Sequence, residues 1–336
     1  MAAVAPPIIT TDGQLWPCPP RAKLPQSLID GTRIPAVSFD AKKHVKFEYP
    51  KKCLTMKDIG KEGAGISPHA ISDPFPLFTQ EAIQQFRREV FSDAVLAKHQ
   101  CGSPFASNMI RGYCPKEAPF IYDAWNSPEV LSSLSKIAGI DLITAMDVDI
   151  GHCNVSVRAE GEEIAEESNK DMTAFEWHYD SYAFVCVIML SDCTGMVGGE
   201  TVIRCGNGEL LKARGPTMGT AVLMQGRYIE HQALKAFGGR ERISMVTSFR
   251  PKSAWIRDEA VVSTLRGISP APELYYQYAE YRLQNLETRI RDQLKNMRKR
   301  KESGRDFDWD AGRKFLVDEC QFLTSLKEEL ERCARN

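Results

Sequence analysis

His178, Tyr179 and Asp180 form a His-x-Asp triplet, and a second histidine, His231, follows a stretch rich in strand-forming residues. Imidazole nitrogens and carboxylate oxygens are ligands for a divalent transition metal, and their spacing decides whether they can share one ion. On a β-strand residues i and i+2 project from one face, about 6 to 7 Å apart along the chain, so both can lean onto one cation. On a helix the same pair points nearly opposite ways. The spacing therefore predicts a strand through His178 and Asp180. Two imidazoles and one carboxylate on one side of a ferrous ion leave three coordination positions for exchangeable ligands.

Arg242 and Ser244, just beyond His231, repeat the i, i+2 relation. A planar, permanently charged fork beside a hydroxyl suits a carboxylate. Each residue also has a plainer reading: a structural histidine, a surface aspartate, a surface salt bridge. Their order along one run of strands is what argues for a site.

The elements that must position these residues are legible in the spacing of apolar side chains. From about 143 to 251 short β-rich runs alternate with glycine and polar turns: AMDVDI, HCNVSV, EWHYDSYAFVCVIMLSD, GETVIRC, GELLKAR, GTAVLMQG, EHQALKAF and RISMVTSF. That count suits a two-sheet jelly roll. Before it, Thr79 caps a helix predicted over 80–97, with Ile83, Phe86, Val90 and Val95 at helical spacing. Ser127-Pro128 opens a second helix that Gly139 closes. After Pro251 two amphipathic helices follow, joined near Gly304, with stripes Ala279, Leu283, Leu286, Ile290, Leu294, Met297 and Leu316, Cys320, Leu323, Leu326, Leu330. The fold class expected is α+β: a jelly roll at 74–251 buttressed by helices, an extended N-terminal arm at 1–73, and a helical extension at 252–336. The acidic stretch RAEGEEIAEESNKDMT reads as a surface loop able to serve as a lid.

With 43 Lys and Arg against 44 Asp and Glu, the net charge is −1. Nothing pulls the whole chain towards nucleic acid or an anionic membrane, and the block RKRK at 298–301 reads as a solvated face. No run reaches the roughly 18 consecutive apolar residues of a membrane span, and the start MAAVAPPIITTDGQ lacks a basic region followed by an apolar one, so the cytosol is expected. The ten cysteines contain no Cys-x-x-Cys pair and no zinc spacing, and read as reduced thiols.

The order His178-x-Asp180, His231, Arg242-x-Ser244 resembles the Fe(II)/2-oxoglutarate-dependent dioxygenases, whose fold is a double-stranded β-helix. WHYDSYAFVCVIMLSD, MVGGETVI, QGRYIEHQAL and RISMVTSFRPKS resemble a fungal group of these enzymes acting on amino acids and natural-product intermediates. The resemblance implies that His178, Asp180 and His231 hold Fe(II). Arg242, helped by Ser244, would take the distant carboxylate of 2-oxoglutarate, and dioxygen would fill the last position, with ascorbate as a supporting reductant. A C–H bond is then hydroxylated, desaturated or closed into a ring, with release of succinate and CO2.

Further pocket candidates are Asn154 and Thr201 for the cosubstrate and Tyr182 and Arg111 for the substrate. Asn154 shares strand parity with His152, which reads as structural; Tyr182 shares the parity of His178 and Asp180; Thr201 follows the Gly198-Gly199 turn. Arg111 also fits an ordinary salt bridge. The expected partner is a small molecule, with a homodimer through the C-terminal helices as one way to cover their stripes. A peptide side-chain hydroxylase, a cupin-type metalloenzyme without 2-oxoglutarate and a non-catalytic jelly-roll module remain as alternatives.

Overall fold

The structure, a computed structural model, describes residues 8–9, 15–16, 20, 23–102, 108–157, 173–213, 215, 217–237, 239 and 241–334. Eight strands build its centre: β1 (His152–Val157), β2 (Thr173–His178), β3 (Phe184–Met189), β4 (Thr201–Arg204), β5 (Leu210–Ala213), β6 (Thr220–Met224), β7 (His231–Leu234) and β8 (Glu241–Pro251). They pair antiparallel in the orders β6-β3-β8-β1 and β2-β7-β4-β5. Except at the β4–β5 hairpin, the chain changes sheet at every connection, which is the winding of a jelly roll.

Strand alternation gives the larger sheet two apolar faces. Phe184, Cys186 and Ile188 on β3 join Leu223, Ile243 and Met245 in the core beneath the helices. Val185, Val222, Met224 and Val246 point the other way, onto Ile203 of the smaller sheet. The inner-face positions of β8 are therefore Arg242, Ser244 and Val246.

The outer face is covered by α1 (Gln80–Val90), α2 (Pro119–Asn126) and α3 (Pro128–Ala138), through residues such as Phe86, Ile121, Trp125 and Leu134. Thr79 caps α1 by accepting from the Ala82 amide. The helix expected over 80–97 is broken at Phe91, because Ser92 accepts from the Val95 amide and opens a new helix, Asp93–His99. α3 has the expected boundaries, with Ser127 as cap and Gly139 left-handed at φ 74°. α2 escaped the sequence reading: its cap, Ala118, makes no side-chain hydrogen bond. The run AMDVDI is not a strand; Asp147–Asp149 is a 3-10 turn and the neighbouring strand is Leu142–Thr144.

Part of the N-terminal arm lies on the helical layer, where Gln85 and Arg88 donate to the Pro35 and Ile34 carbonyls, and part of it joins the larger sheet. Strands Cys53–Thr55 and His69–Ser72 extend that sheet beyond β6, with Ile71 opposite Met224. Gln225 fastens the crossing: its Oε1 accepts from the Ile66 amide at 2.6 Å, and its Nε2 donates to the Ser67 and His69 carbonyls. The C-terminal segment forms a hairpin of α4 (Ala271–Glu302) and α5 (Trp309–Ala334), turning at Gly304 with φ 67°. No helix among the described residues is long and apolar enough to cross a membrane. No disulfide joins any two of Cys53, Cys101, Cys114, Cys153, Cys186, Cys193, Cys205 and Cys320.

Candidate metal centre

His178 and His231 face each other across the β2–β7 pair, and Ile203 of β4 stands opposite His231 on the other side. Residues directly opposite on antiparallel strands share a face, so both imidazoles point with Ile203 towards the larger sheet. Asp180 reaches the same spot by a different route from the one its spacing suggested. β2 ends at His178, and Asp180 lies in the turn that follows. Its amide donates to the Gly226 carbonyl at 3.1 Å, and its own carbonyl accepts from Arg227 Nη1 at 3.3 Å.

The three side chains converge. His178 Nε2 is 3.7 Å from Asp180 Oδ1 and His231 Nε2 is 3.6 Å from Asp180 Oδ2; all three ligand atoms lie within 4.8 Å of one another. Two ligands bonded to one cation at about 2.1 Å stand no more than about 4.2 Å apart, so both carboxylate contacts are within range of a shared ion. His178 Nδ1 lies 2.6 Å from the Glu176 carbonyl and His231 Nδ1 lies 2.9 Å from the Ile229 carbonyl. A carbonyl only accepts, so in a neutral ring the proton sits on Nδ1 and the Nε2 lone pair is turned inward, the tautomer a metal requires. Burial holds His231 below the ordinary imidazole value, against the opposing pull of Asp180, and favours that neutral form. Asp180 Oδ2 is buried with no hydrogen-bond partner. A buried carboxylate oxygen between two inward lone pairs is unfavourable alone and favourable around a cation, so these residues fit a divalent metal.

Gly226 makes the convergence sterically feasible. A Cβ there would stand 1.8 Å from Asp180 Oδ2 and 2.7 Å from its Cγ. Sequence spacing could not reveal this contact, which joins two turns far apart in the chain.

Facing the ligands, β8 presents Arg242 and Ser244. Ser244 is buried, flanked in register by Met189 of β3 and Asn154 of β1, so all three share the inner face. Arg242 is half-buried beside the Gly198–Gly199 turn, where a Cβ on Gly199 would meet its Nε at 3.5 Å. Burial pushes its guanidinium below the ordinary value, with the Cys193 thiol as the opposing influence. Among the described residues no carboxylate pairs with Arg242. Asn154 Oδ1 is likewise buried without a hydrogen-bond partner, and Thr201 heads β4 two residues before the inward Ile203. Gly198 and Gly199 do permit the tight turn: φ is 84° and 77°, and a Cβ on Gly198 would meet the Lys235 carbonyl oxygen at 2.2 Å.

Two substrate candidates lie elsewhere. Arg111 is buried in an internal cluster: it pairs with Asp149, donates to Ser269 Oγ at 2.8 Å and lies 3.3 Å from His152 Nδ1. Its charge is neutralised within the chain. Tyr182 does not share the face of the metal ligands, because the strand that would carry that parity stops at His178. Its ring packs with Met146, Val148, Leu274 and Tyr278, between the jelly roll and α4. The acidic stretch read as a lid spans 158–173, of which 158–172 lie outside the described residues and Thr173 opens β2.

Neither a protein-family profile nor a curated protein sequence matches the chain. Among solved structures, 193 chains match. One is a 2OG-Fe(II) oxygenase family oxidoreductase from Burkholderia pseudomallei, 16% identical, covering 47% of this chain and 74% of its own, with TM-score 0.34. AviO1 from Streptomyces viridochromogenes is 13% identical over 55% of this chain and 90% of its own, with TM-score 0.40. A Pseudomonas putida prolyl-4-hydroxylase is 13% identical over 52% and 88%, with TM-score 0.32. Each likeness concerns about half of this chain at low identity, so the chemistry of the site rests on this chain's own residues.

Proposed function

We propose that this protein is an Fe(II)/2-oxoglutarate-dependent oxygenase that oxidises a C–H bond of a small molecule. The observation that carries the reading is the orphaned carboxylate oxygen of Asp180, set between two inward-facing imidazoles and opposite a guanidinium with no carboxylate partner among the described residues. His178, Asp180 and His231 hold the metal. Arg242 receives the far carboxylate of 2-oxoglutarate in its planar fork and Ser244 adds a hydroxyl, while Asn154 and Thr201 offer further hydrogen bonds on the inner faces. When bound, iron, 2-oxoglutarate and dioxygen supply the oxidising chemistry, in which the oxo acid leaves as succinate and CO2. The chain's own work is to turn Nε2 of both imidazoles inward, hold a carboxylate between them, and orient the cosubstrate by its distant charge.

The substrate class assigned is an amino acid or an amino-acid-derived intermediate, as in the fungal enzymes that the sequence resembles, and the product arises by hydroxylation, desaturation or ring closure. Ascorbate supports turnover by keeping the metal reduced. The enzyme works in the cytosol, on neither nucleic acid nor membrane, through a catalytic unit at 74–251. The test is succinate formation with Fe(II), ascorbate, 2-oxoglutarate and a panel of amino acids. Turnover that disappears in His178→Ala supports the reading. Full activity in that variant, oxygen uptake independent of 2-oxoglutarate, or succinate only with a peptide substrate would each replace it.

A further inference from the structure

The α4–α5 hairpin carries apolar side chains on two faces. Towards the rest of the chain Leu274, Tyr278, Tyr281 and Leu326 pack with Met146, Tyr182 and Val262, Arg289 donates to the Ala254 carbonyl at 2.6 Å and Glu329 accepts from the Val262 and Ser263 amides, while the Arg289–Glu319 pair and Arg282 over Phe322 at 3.6 Å join the two helices to each other. A second set of apolar residues runs along the solvent side. Leu316 is 64% exposed, Trp309 78% and Leu294 44%, with Leu283, Ile290, Met297 and Leu323 also exposed. Leu283, Leu286 and Ile290 on α4 and Leu316, Cys320 and Leu323 on α5 follow alternating steps of three and four, the spacing of helices that pack side by side. Between them lies a groove of about 1010 Å³.

Size and charge say what covers it. α5 has 26 residues, about 39 Å of helix, and two helices packed about 10 Å apart present a face roughly 20 Å wide. That footprint is on the order of 800 Å² per partner, the area of a standard stable interface. The hairpin is also polarised along its length. Residues 295–314, around the tip, carry eight Lys and Arg against four Asp and Glu; residues 318–334, towards the base, carry two against five, of which Glu319 and Glu329 are buried and held within the chain. The groove repeats the pattern, with Arg313 lining its tip end and Glu328 its base end. A surface basic at one end and acidic at the other is complementary to itself under a two-fold rotation.

We propose that this face is a dimer interface, on which the hairpin of a second copy lies antiparallel, tip to base, in a four-helix arrangement that sets Arg313 of each copy beside Glu328 of the other. Sedimentation equilibrium on the full chain tests it. The expected result is a dimer at about 10 μM that becomes monomeric in Leu316→Glu with Leu323→Glu, at unchanged far-ultraviolet circular dichroism. Arg313→Glu alone and Glu328→Lys alone should each weaken self-association roughly tenfold, and mixing the two proteins should recover it, because every unlike contact is then restored. This pair leaves the apolar stripes intact, so it decides the matter if the leucine variant loses helix. A monomeric full chain, a leucine variant that is folded and still dimeric, or charge variants that gain nothing on mixing would overturn the proposal.

Discussion

Two arginines at the same sheet, Arg111 buried and Arg242 half-buried, meet opposite circumstances. Arg111, after the strand Asn108–Ile110, is held by Asp149, Ser269 and His152. Arg242, on β8, has no carboxylate partner among the described residues and stands across from the histidine–aspartate cluster. A folded chain tolerates a desolvated charge only if something compensates it. In the Arg111 region the compensation is internal and the group is structural. In the Arg242 region, on the function proposed, it arrives from outside as the far carboxylate of the cosubstrate. The same contrast separates the histidines. His69 ties down Nε2 on the Leu223 carbonyl at 3.0 Å, whereas His178 and His231 tie down Nδ1 and present Nε2.

The comparison breaks most readily at Arg111. Arg111→Met should cost about 3 to 5 kcal/mol in denaturant unfolding, because Asp149 stays buried without its partner. Arg242→Met should leave stability unchanged or raised, while the 2-oxoglutarate needed for half-maximal succinate formation rises roughly 10- to 150-fold, as for one or two lost charged hydrogen bonds. If Arg242→Met proves the more destabilising of the two, the roles assigned to the arginines are wrong. Gly226→Ala sharpens the metal side: its Cβ would enter the space of Asp180 Oδ2, and Fe(II) affinity measured by equilibrium dialysis should drop about 10- to 100-fold with the fold intact.

The smallest effect concerns His69, whose burial pushes its value down to about 4. An unfolded imidazole takes its proton near pH 6.5 and this one only near pH 4, so the unfolded state binds more protons between those values and stability falls as the pH is lowered. From pH 7 to pH 5 the loss should be about 2 kcal/mol, and His69→Leu should flatten that dependence. Identical pH profiles for the two proteins would remove His69 from the account.

Much of the site was legible in the sequence because its residues sit on strands whose alternation is regular. Ile243 and Met245 go to the helix-side core, so Arg242 and Ser244 must face inward, and that follows from parity alone. Parity failed where the strand stops: β2 ends at His178, so Asp180 arrives through a turn and Tyr182 is carried away to the α4 contact. The caps at Thr79 and Ser127 marked their helices, while α2, without a capping side chain, left no such mark. Gly226 against Asp180, and Asp149 against Arg111, are meetings of distant segments that no local pattern encodes.

The central claim is that His178, Asp180 and His231 hold one ferrous ion with room for 2-oxoglutarate, whose far carboxylate Arg242 receives. Anaerobic titration of the Fe(II)-loaded protein with 2-oxoglutarate, followed by visible absorption, tests it most directly. A saturable charge-transfer band is predicted, absent in His178→Ala and shifted to higher 2-oxoglutarate concentration in Arg242→Met. A protein that binds no Fe(II), or a band that persists in His178→Ala, would contradict the account.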